Sequence, residues 1–325
     1  MSFSAVGRRA LALHLAVIAL LFAAQFVLPA YHHGIVSRIL VLAIFAMGYN
    51  LLFGYVGLLS LGHAMFFAAG MYGAGLTVYH LGWPVLPAFA FGMVCGAVLA
   101  LGIGLLALRT AGVAFMIVTM MFGQVAYLLS LWFGNWTRGE EGLTLQQSAR
   151  AIGPLDLTDP TTRYFAALFL FACVLFVTLA LVRSPVGRVL VAIRENEERT
   201  RMLGYDVFRA KLVAIVVSGT LSAMSGAAYA LLFGYLGAGF AATAYSILPL
   251  LWVLVGGAAT VLGPLVGTLA MYYLTDLSND LLNRNFPDWD ISYLGIVGVA
   301  LVLLILFFPK GLLGTIRERW LRWLP

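Results

Sequence analysis

Charge is what this chain has least of. Asp, Glu, Lys and Arg together make up only 10% of its 325 residues, where soluble domains run near a quarter. With 62% hydrophobic residues and a mean hydropathy of +1.00, this scarcity excludes an ordinary soluble enzyme. It also excludes a disordered chain, which could not keep so much apolar surface in water. Cysteine is nearly absent: Cys95 and Cys173 lie far apart in apolar runs, so neither a disulfide framework nor a thiolate metal site is indicated. Lysine occurs only as Lys211 and Lys310, neither in a Gly-x-x-x-x-Gly-Lys-Ser/Thr context, which removes a phosphate-cradling loop. His14, His32, His33, His63 and His80 do not combine with Cys, Asp or Glu at metal-ligand spacing, so no metal or other cofactor is expected. His32 and His33, near Arg38, read as an interfacial pair. No Ser–His–Asp order stands out, and the chain is not expected to be an enzyme. The basic excess, 19 Lys and Arg against 13 Asp and Glu, sits in short clusters between apolar runs. Such clusters set membrane topology and do not point to nucleic acid.

What the chain does have is long apolar runs. A membrane helix needs about 20 apolar residues. Charges, Gly/Pro breaks and turn residues leave about ten such runs, near 10–29, 35–53, 63–81, 84–108, 111–133, 162–182, 210–233, 245–258, 262–280 and 291–309. The fold class this predicts is an all-α, polytopic bundle in a lipid bilayer, one transmembrane domain over 1–325. The first run follows Arg8 and Arg9 as a signal peptide would, but so many runs follow that an uncleaved first helix is expected.

Sidedness follows from the cations. The segment 183–211 carries Arg183, Arg188, Arg194, Arg199, Arg201, Arg209 and Lys211, and the basic tail 310–325 carries Lys310, Arg317, Arg319 and Arg322. The positive-inside rule puts both segments and both termini in the cytoplasm, which suits an even number of spans. The nearly balanced segment 134–163 is then periplasmic, as is 276–290 with Asp276, Asp280, Asp288 and Asp290 against Arg284. Trp320 and Trp323 among the tail arginines fit an interfacial anchor. Leu51-Leu52-Phe53-Gly54-Tyr55 recurs as Leu231-Leu232-Phe233-Gly234-Tyr235, on opposite faces and five spans apart. That is the pattern of an inverted five-plus-five repeat; chance recurrence of abundant residue types is the other reading.

Ion-driven carriers hold ionisable side chains inside the bilayer. Here the runs contain no Asp or Glu, apart from Asp276 and Asp280 at the end of one. The interior polar groups are instead Asn50, Ser60, His63, Thr119, Gln124, Ser218 and Ser222. This favours a permease driven from outside the chain; an ion-coupled secondary transporter is the alternative. In the cytoplasmic segment, Pro185 and Gly187 break the preceding run. Val189 to Gly204 reads as short amphipathic helical structure, with Leu190, Ile193, Met202 and Leu203 expected to pack and Gly204 to stop it. A helix docking into a partner and a solvated surface helix both fit that pattern.

Several passages carry a resemblance. They are Gly48-Tyr49-Asn50-Leu51-Leu52-Phe53-Gly54-Tyr55-Val56-Gly57 running on to Leu59-Ser60-Leu61-Gly62-His63-Ala64, then Gly104 to Arg109, and Gly187-Arg188 through Ala192 to Glu197. Leu203-Gly204-Tyr205, Gly256-Gly257, Leu262 to Gly267 and Phe307 to Leu312 follow. In this order, across about 40–314, the chain resembles the LivM-type permeases of branched-chain amino acid ABC importers. The resemblance implies a multi-pass permease subunit of a bacterial inner membrane, working by alternating access. It implies two ABC ATPase subunits, a second homologous permease subunit and a periplasmic solute-binding protein as partners, with ATP hydrolysis on the ATPases. The implied cargo is a branched-chain or other hydrophobic amino acid; related permeases carry urea, short amides or aromatic acids.

By the same resemblance, 183–211 is the coupling loop that meets the ATPase. Glu198 and Gly204 have the spacing of its Glu-Ala-Ala-x-x-x-Gly signature, but Arg199 and Thr200 stand where alanines are expected. The expected coupling residues are Arg188, Arg194, Glu195, Asn196, Glu197, Glu198 and Gly204. Broken helix at depth is tolerated only where it lines a cavity or is buried in protein. Asn50, Gly54, Gly57, Ser60, His63, Thr119 and Gln124 are accordingly candidates for the translocation pathway, with close helix packing as the competing role. In the outer loop 134–163, Gly139, Glu140, Glu141 and Gly142 resemble an acidic, Gly-rich pattern. It would meet the binding protein by charge complementarity, or be a solvated turn.

Overall fold

The structure, a computed structural model, describes residues 5–153, 155–285 and 293–319. Asp288, Asp290, Trp320, Arg322 and Trp323 lie outside the described residues, as do the side chains of Arg284 and Arg319. The helices, in chain order, are α1 (Ala5–Val27), α2 (Ala30–Asn50), α3 (Ala64–Leu81), α4 (Val85–Ala107), α5 (Val113–Trp132), α6 (Gly134–Thr137), α7 (Pro160–Arg183), α8 (Pro185–Glu195), α9 (Glu197–Met202), α10 (Val207–Phe233), α11 (Thr243–Gly256), α12 (Gly263–Asn285), α13 (Tyr293–Phe307) and α14 (Gly311–Arg319). A helix coincides with each expected apolar run. Among the described residues six are long and apolar enough to cross a membrane: Arg9–Val27, Tyr31–Val56, Val85–Ala107, Val113–Trp132, Pro160–Arg183 and Val207–Phe233. α11 is a shorter apolar helix.

Local chemistry sets the boundaries. Asp159 accepts the Thr162 N–H at 2.8 Å ahead of Pro160, the first residue of α7, a pairing of N-cap and N1 proline that pre-organises a helix start. Ser184 with Pro185, Asn196 and Asp206 cap α8, α9 and α10 in the same manner. Gly82 and Gly234, at φ 63° and 72°, end α3 and α10 in the left-handed conformation that glycine adopts without strain.

The outside of the bundle is apolar. α4 and α5 turn Leu101, Leu105, Val125 and Leu128 outward, while Gly92, Gly96 and Ala100 of α4 face in. That is the reverse of a soluble helix and suits lipid outside with small residues between helices. α2 is buried along almost its whole length. It packs on α10 and, on its other sides, on α7, α11 and α12, whereas α10 packs also on α3 and α4. Each central helix therefore lies against the pair that follows the other. The contacts reach the backbone: a Cβ on Gly70 would lie 1.9 Å from the Ala223 carbonyl oxygen, and one on Gly226 would lie 1.9 Å from that of Phe67. Gly256 and Gly267 do the same where α11 meets α12.

Two helices begin partway along their neighbours. α2 continues as a π-helix over Leu51–Val56, a wide turn that is rare and concentrated at functional sites. The chain then leaves through Gly57 at φ 81°. It turns back so that His63, just before α3, reaches Ser218 and Ser222 midway along α10. From the other end, α11 starts at Thr243, whose hydroxyl donates to Gln124 midway along α5 at 3.3 Å. The repeated Leu-Leu-Phe-Gly-Tyr pentapeptide takes two local forms. Its first copy lies in the π-helix and its second caps α10.

At the α2 exit, α8 buries Leu190 and Ile193 against Leu51, Tyr55, Val56, Val207 and Ala214. Met202 and Leu203 do not join them; they are 84% and 76% exposed. Asn196 is extended at φ −159°, so α9 begins a new axis and its apolar residues no longer share the α8 face. At the opposite end, β1 (Leu143–Thr144) pairs antiparallel with β4 (Tyr235–Leu236), and β2 (Ala151–Ile152) with β3 (Leu155–Asp156). The segment 134–163 is thereby tied to the α10–α11 connection.

Candidate functional site

The pathway candidates fall into separate places. Asn50 ends α2 and is buried; its Nδ2 donates to the Thr260 carbonyl at 2.9 Å and its Oδ1 accepts the Ala259 N–H at 3.0 Å. Its amide thus holds the α11–α12 turn, where Ala259 takes φ 57°. The Gly54 carbonyl accepts from the Arg194 guanidinium of α8. A Cβ on Gly57 would meet Arg194 Cγ at 3.0 Å. Arg317 of α14 donates to the Ala259 carbonyl at 3.1 Å. A cavity of about 780 Å³, lined by Phe53, Arg194, Thr260, Lys310 and Arg317 among others, opens here.

His63 sits deeper and is fully buried. Its Nε2 lies 2.9 Å from the Ser222 hydroxyl and 3.2 Å from that of Ser218. Phe45 stacks near its ring at 6.0 Å, and Tyr49 and Phe66 meet it edge-on. Its Nδ1 and the Ser60 hydroxyl are buried without a partner among the described residues. The Ser60 carbonyl accepts the Tyr49 hydroxyl at 3.0 Å. The Ala64 N–H, first of α3, donates to Ser246 of α11 at 2.9 Å. Thr119 bonds within its own helix, to Met116 at 2.9 Å, and its carbonyl presses on Gly62, where a Cβ would lie 1.8 Å away. Gln124 is exposed and stands apart. Ser218 and Ser222 complete the His63 cluster. Their spacing of four places both on one α10 face, a signal visible in the sequence once a partner is known.

Of the coupling candidates, Glu197 bonds Lys211 at 2.6 Å and Arg201 at 3.2 Å. Asn196 caps α9 by accepting the Arg199 N–H at 2.9 Å. Arg188, Glu195 and Glu198 are exposed, and Gly204 takes φ 86°. This end of the molecule therefore presents charged groups beside the exposed side chains of Met202, Leu203 and Tyr205.

At the far end, Gly139 and Gly142 adopt φ 57° and 73°, and they hold Glu140 and Glu141 out on the surface. Gly142 packs on Tyr235 and Leu236 beside the β1–β4 pair. Arg150 is buried and donates to the Leu232 carbonyl at 3.3 Å. Burial pulls its guanidinium below the usual value, and nearby Asp156 opposes that. The Asp156 carboxyl is itself held down by hydrogen bonds from Thr158. No group of His, Cys, Asp and Glu among the described residues is arranged to hold a metal ion.

The arrangement is one of helices that begin partway along their neighbours and a charged, apolar-tipped platform at one end. A family model for the permease component of branched-chain amino acid transport systems matches residues 32–306. Over 310 residues the chain is 29% identical to the high-affinity branched-chain amino acid transport system permease protein LivM of Escherichia coli, a match covering 88% of this chain and 70% of that protein. A probable LivM of Methanocaldococcus jannaschii is 28% identical over 143 residues, 41% of each chain. The autoinducer 2 import system permease protein LsrC of Photorhabdus laumondii is 26% identical over 185 residues, 55% of this chain and 52% of that one. No solved structure matches. The chain belongs to the family of branched-chain amino acid transport system permease components.

Proposed function

We propose that this member of the branched-chain amino acid permease family is one transmembrane subunit of an ATP-driven importer in a bacterial inner membrane. It pairs with a second, homologous permease and two ATPases, and receives solute from a periplasmic binding protein. The observation that carries this reading is the platform of α8 and α9. It is seated on the π-helix of α2 through Arg194 and Gly54, while Met202, Leu203 and Tyr205 stay exposed beside Arg188, Glu195 and Glu198. Exposed apolar side chains rimmed by charge suit a protein partner, and a rigid seat lets a partner's motion reach α2. ATP-driven closure of the ATPases would move this platform and reorient the bundle.

On this reading the ten longer helices are ten spans, with the α8–α9 end cytoplasmic. The exchange of packing partners between α2 and α10 supports an inverted repeat. Ser60, His63 and Thr119 line or shape the path at the level where α3 begins, Gln124 where α11 begins, and Asn50, Gly54 and Gly57 shape it beside α8. Glu140 and Glu141, with Gly139 and Gly142, meet the binding protein. The cargo is a branched-chain or other hydrophobic amino acid, as the names of the LivM relatives suggest. The LsrC relative favours a second reading, the same machine carrying a different small solute.

The test is purification in mild detergent with identification of co-purifying proteins. A P-loop ATPase and a second permease should accompany the wild-type chain, and a Glu198→Arg, Met202→Asp, Leu203→Asp variant that reaches the membrane should lose the ATPase. A chain that purifies alone and still transports after reconstitution would overturn the proposal and direct attention to ion coupling at Asp276 and Asp280.

A further inference from the structure

At the end opposite α8, two arginines lie inside membrane-length helices, Arg38 in α2 and Arg163 in α7. Both guanidinium carbons lie over the ring of Phe233, the last residue of α10, at 5.2 and 5.5 Å from its centroid. A third arginine, Arg150, packs on Gly234 immediately after that ring. Arg38 donates to the Tyr272 hydroxyl at 3.2 Å. The Nε of all three arginines is buried without a partner, and among the described residues no carboxylate lies within salt-bridge distance of Arg38 or Arg163. Arg38 and Arg163, with Tyr31, Gly34, Ile35, Phe233 and Tyr272, line a cavity of about 180 Å³.

Like charges gathered at the edge of a bilayer repel and are poorly solvated. Asp156 and Asp159 act on Arg150 and Arg163 only from beyond salt-bridge distance, Asp159 being taken up by Thr162, so the cluster calls for an external anion. Topology does not explain it, since cations that set topology collect at the cytoplasmic end, and packing on the Phe233 ring supplies no counter-charge. Guanidinium is planar and binds carboxylate through paired N–H donors. The phenols of Tyr31 and Tyr272 add donors, and Ile35 and Phe233 give the cavity an apolar wall.

We propose that this cavity is a carboxylate site. It would hold the carboxylate of a small aliphatic acid, the class that includes the α-carboxylate of a branched-chain amino acid, where solute enters the bundle. The cavity's size and recess between helices favour a free solute over a protein side chain. The assignment rests on the importer reading for its biological sense, but binding to this chain needs no ATPase, so either can fail alone.

The test uses the full chain in phosphatidylcholine nanodiscs, with saturation-transfer NMR and isovalerate, leucine and leucinol as probes. Isovalerate and leucine should bind in competition, and leucinol, which lacks the carboxylate, should not displace them. Arg38→Gln with Arg163→Gln should weaken isovalerate binding at least tenfold. Should the double variant fail to fold, Tyr272→Phe and Arg163→Gln alone should each weaken it severalfold. Unchanged binding in these variants, or displacement by leucinol, would overturn the site. So would displacement by phosphatidylglycerol at mole fractions found in membranes, which would make it a lipid headgroup site. Isovalerate binding seen only without an added periplasmic binding protein, with carboxylate variants of that protein failing to dock, would transfer the arginines to protein docking and likewise overturn it.

Discussion

Asn50 and Ala259, 209 positions apart, are joined by a 3.0 Å hydrogen bond from the Ala259 N–H to the Asn50 side-chain oxygen. The same amide also donates to Thr260, so one buried side chain locks the end of α2 to the turn between α11 and α12. Asn50→Leu keeps the volume and leaves buried backbone groups unmatched. It should lower stability by about 1–3 kcal/mol, read as an earlier unfolding transition in nanodiscs. An unchanged midpoint would show that the turn finds other partners.

Glycines divide into two kinds. Gly70→Ala drives a methyl into the Ala223 backbone, and overpacking of this sort costs about 1–3 kcal/mol. At Gly102, in α4, a Cβ would meet nothing within 4 Å, so Gly102→Ala should stabilise by up to about 1 kcal/mol through helix propensity. Thermal unfolding of the two variants side by side checks both signs.

Ser60 is 1% exposed and its hydroxyl is unpartnered among the described residues. In a chain with Cys95 and Cys173 replaced by alanine, Ser60→Cys should resist a membrane-impermeant maleimide at rest. It should become labelled during ATP turnover of the assembled importer. Labelling at one constant rate in both states would place Ser60 outside the pathway.

Arg194 and Gly57 press on each other where α8 meets the π-helix. Gly57→Ala forces a side chain into left-handed backbone, a strain of about 1–2 kcal/mol, and Arg194→Gln removes the bond to Gly54. Each should reduce solute moved per ATP hydrolysed while the ATPase still co-purifies. Loss of the ATPase itself would make these residues part of the docking surface.

Glu140 and Glu141 stand on the surface at the far end. Exchanging both for lysine should slow association of the binding protein about tenfold at low salt, with the difference shrinking as salt screens it. Surface plasmon resonance at two ionic strengths would show it, and equal rates would return the loop to a solvated turn.

The helices were legible because apolar runs and their breakers are local: Pro84, Pro160 and Pro185 start helices, and Gly82 and Gly234 end them. The family was legible from passages in order along the chain, and the match over residues 32–306 bears that out. What the sequence hid was long-range. The Asn50 contacts cross about 210 residues, and Gly54 faces Arg194 across 140. The exposure of Met202 and Leu203 depends on one extended residue, Asn196, which a helical periodicity runs straight through. Arg38 and Arg163 stay inconspicuous in the sequence because a lone arginine near the end of an apolar run reads as an interfacial residue, and only the fold brings both over Phe233.

Because α10 is the helix on which α3 and α4 lie, and α2 the one on which α11 and α12 lie, early and late segments of the chain are interlocked like clasped hands. During synthesis α3 and α4 can cover part of each other, but the faces around Gly70 and Gly96 meet their partner only once Val207–Phe233 has been made. A chain that stops before α10 therefore leaves those faces open, and a break ahead of α10 is expected to leave two pieces that need each other to complete this packing.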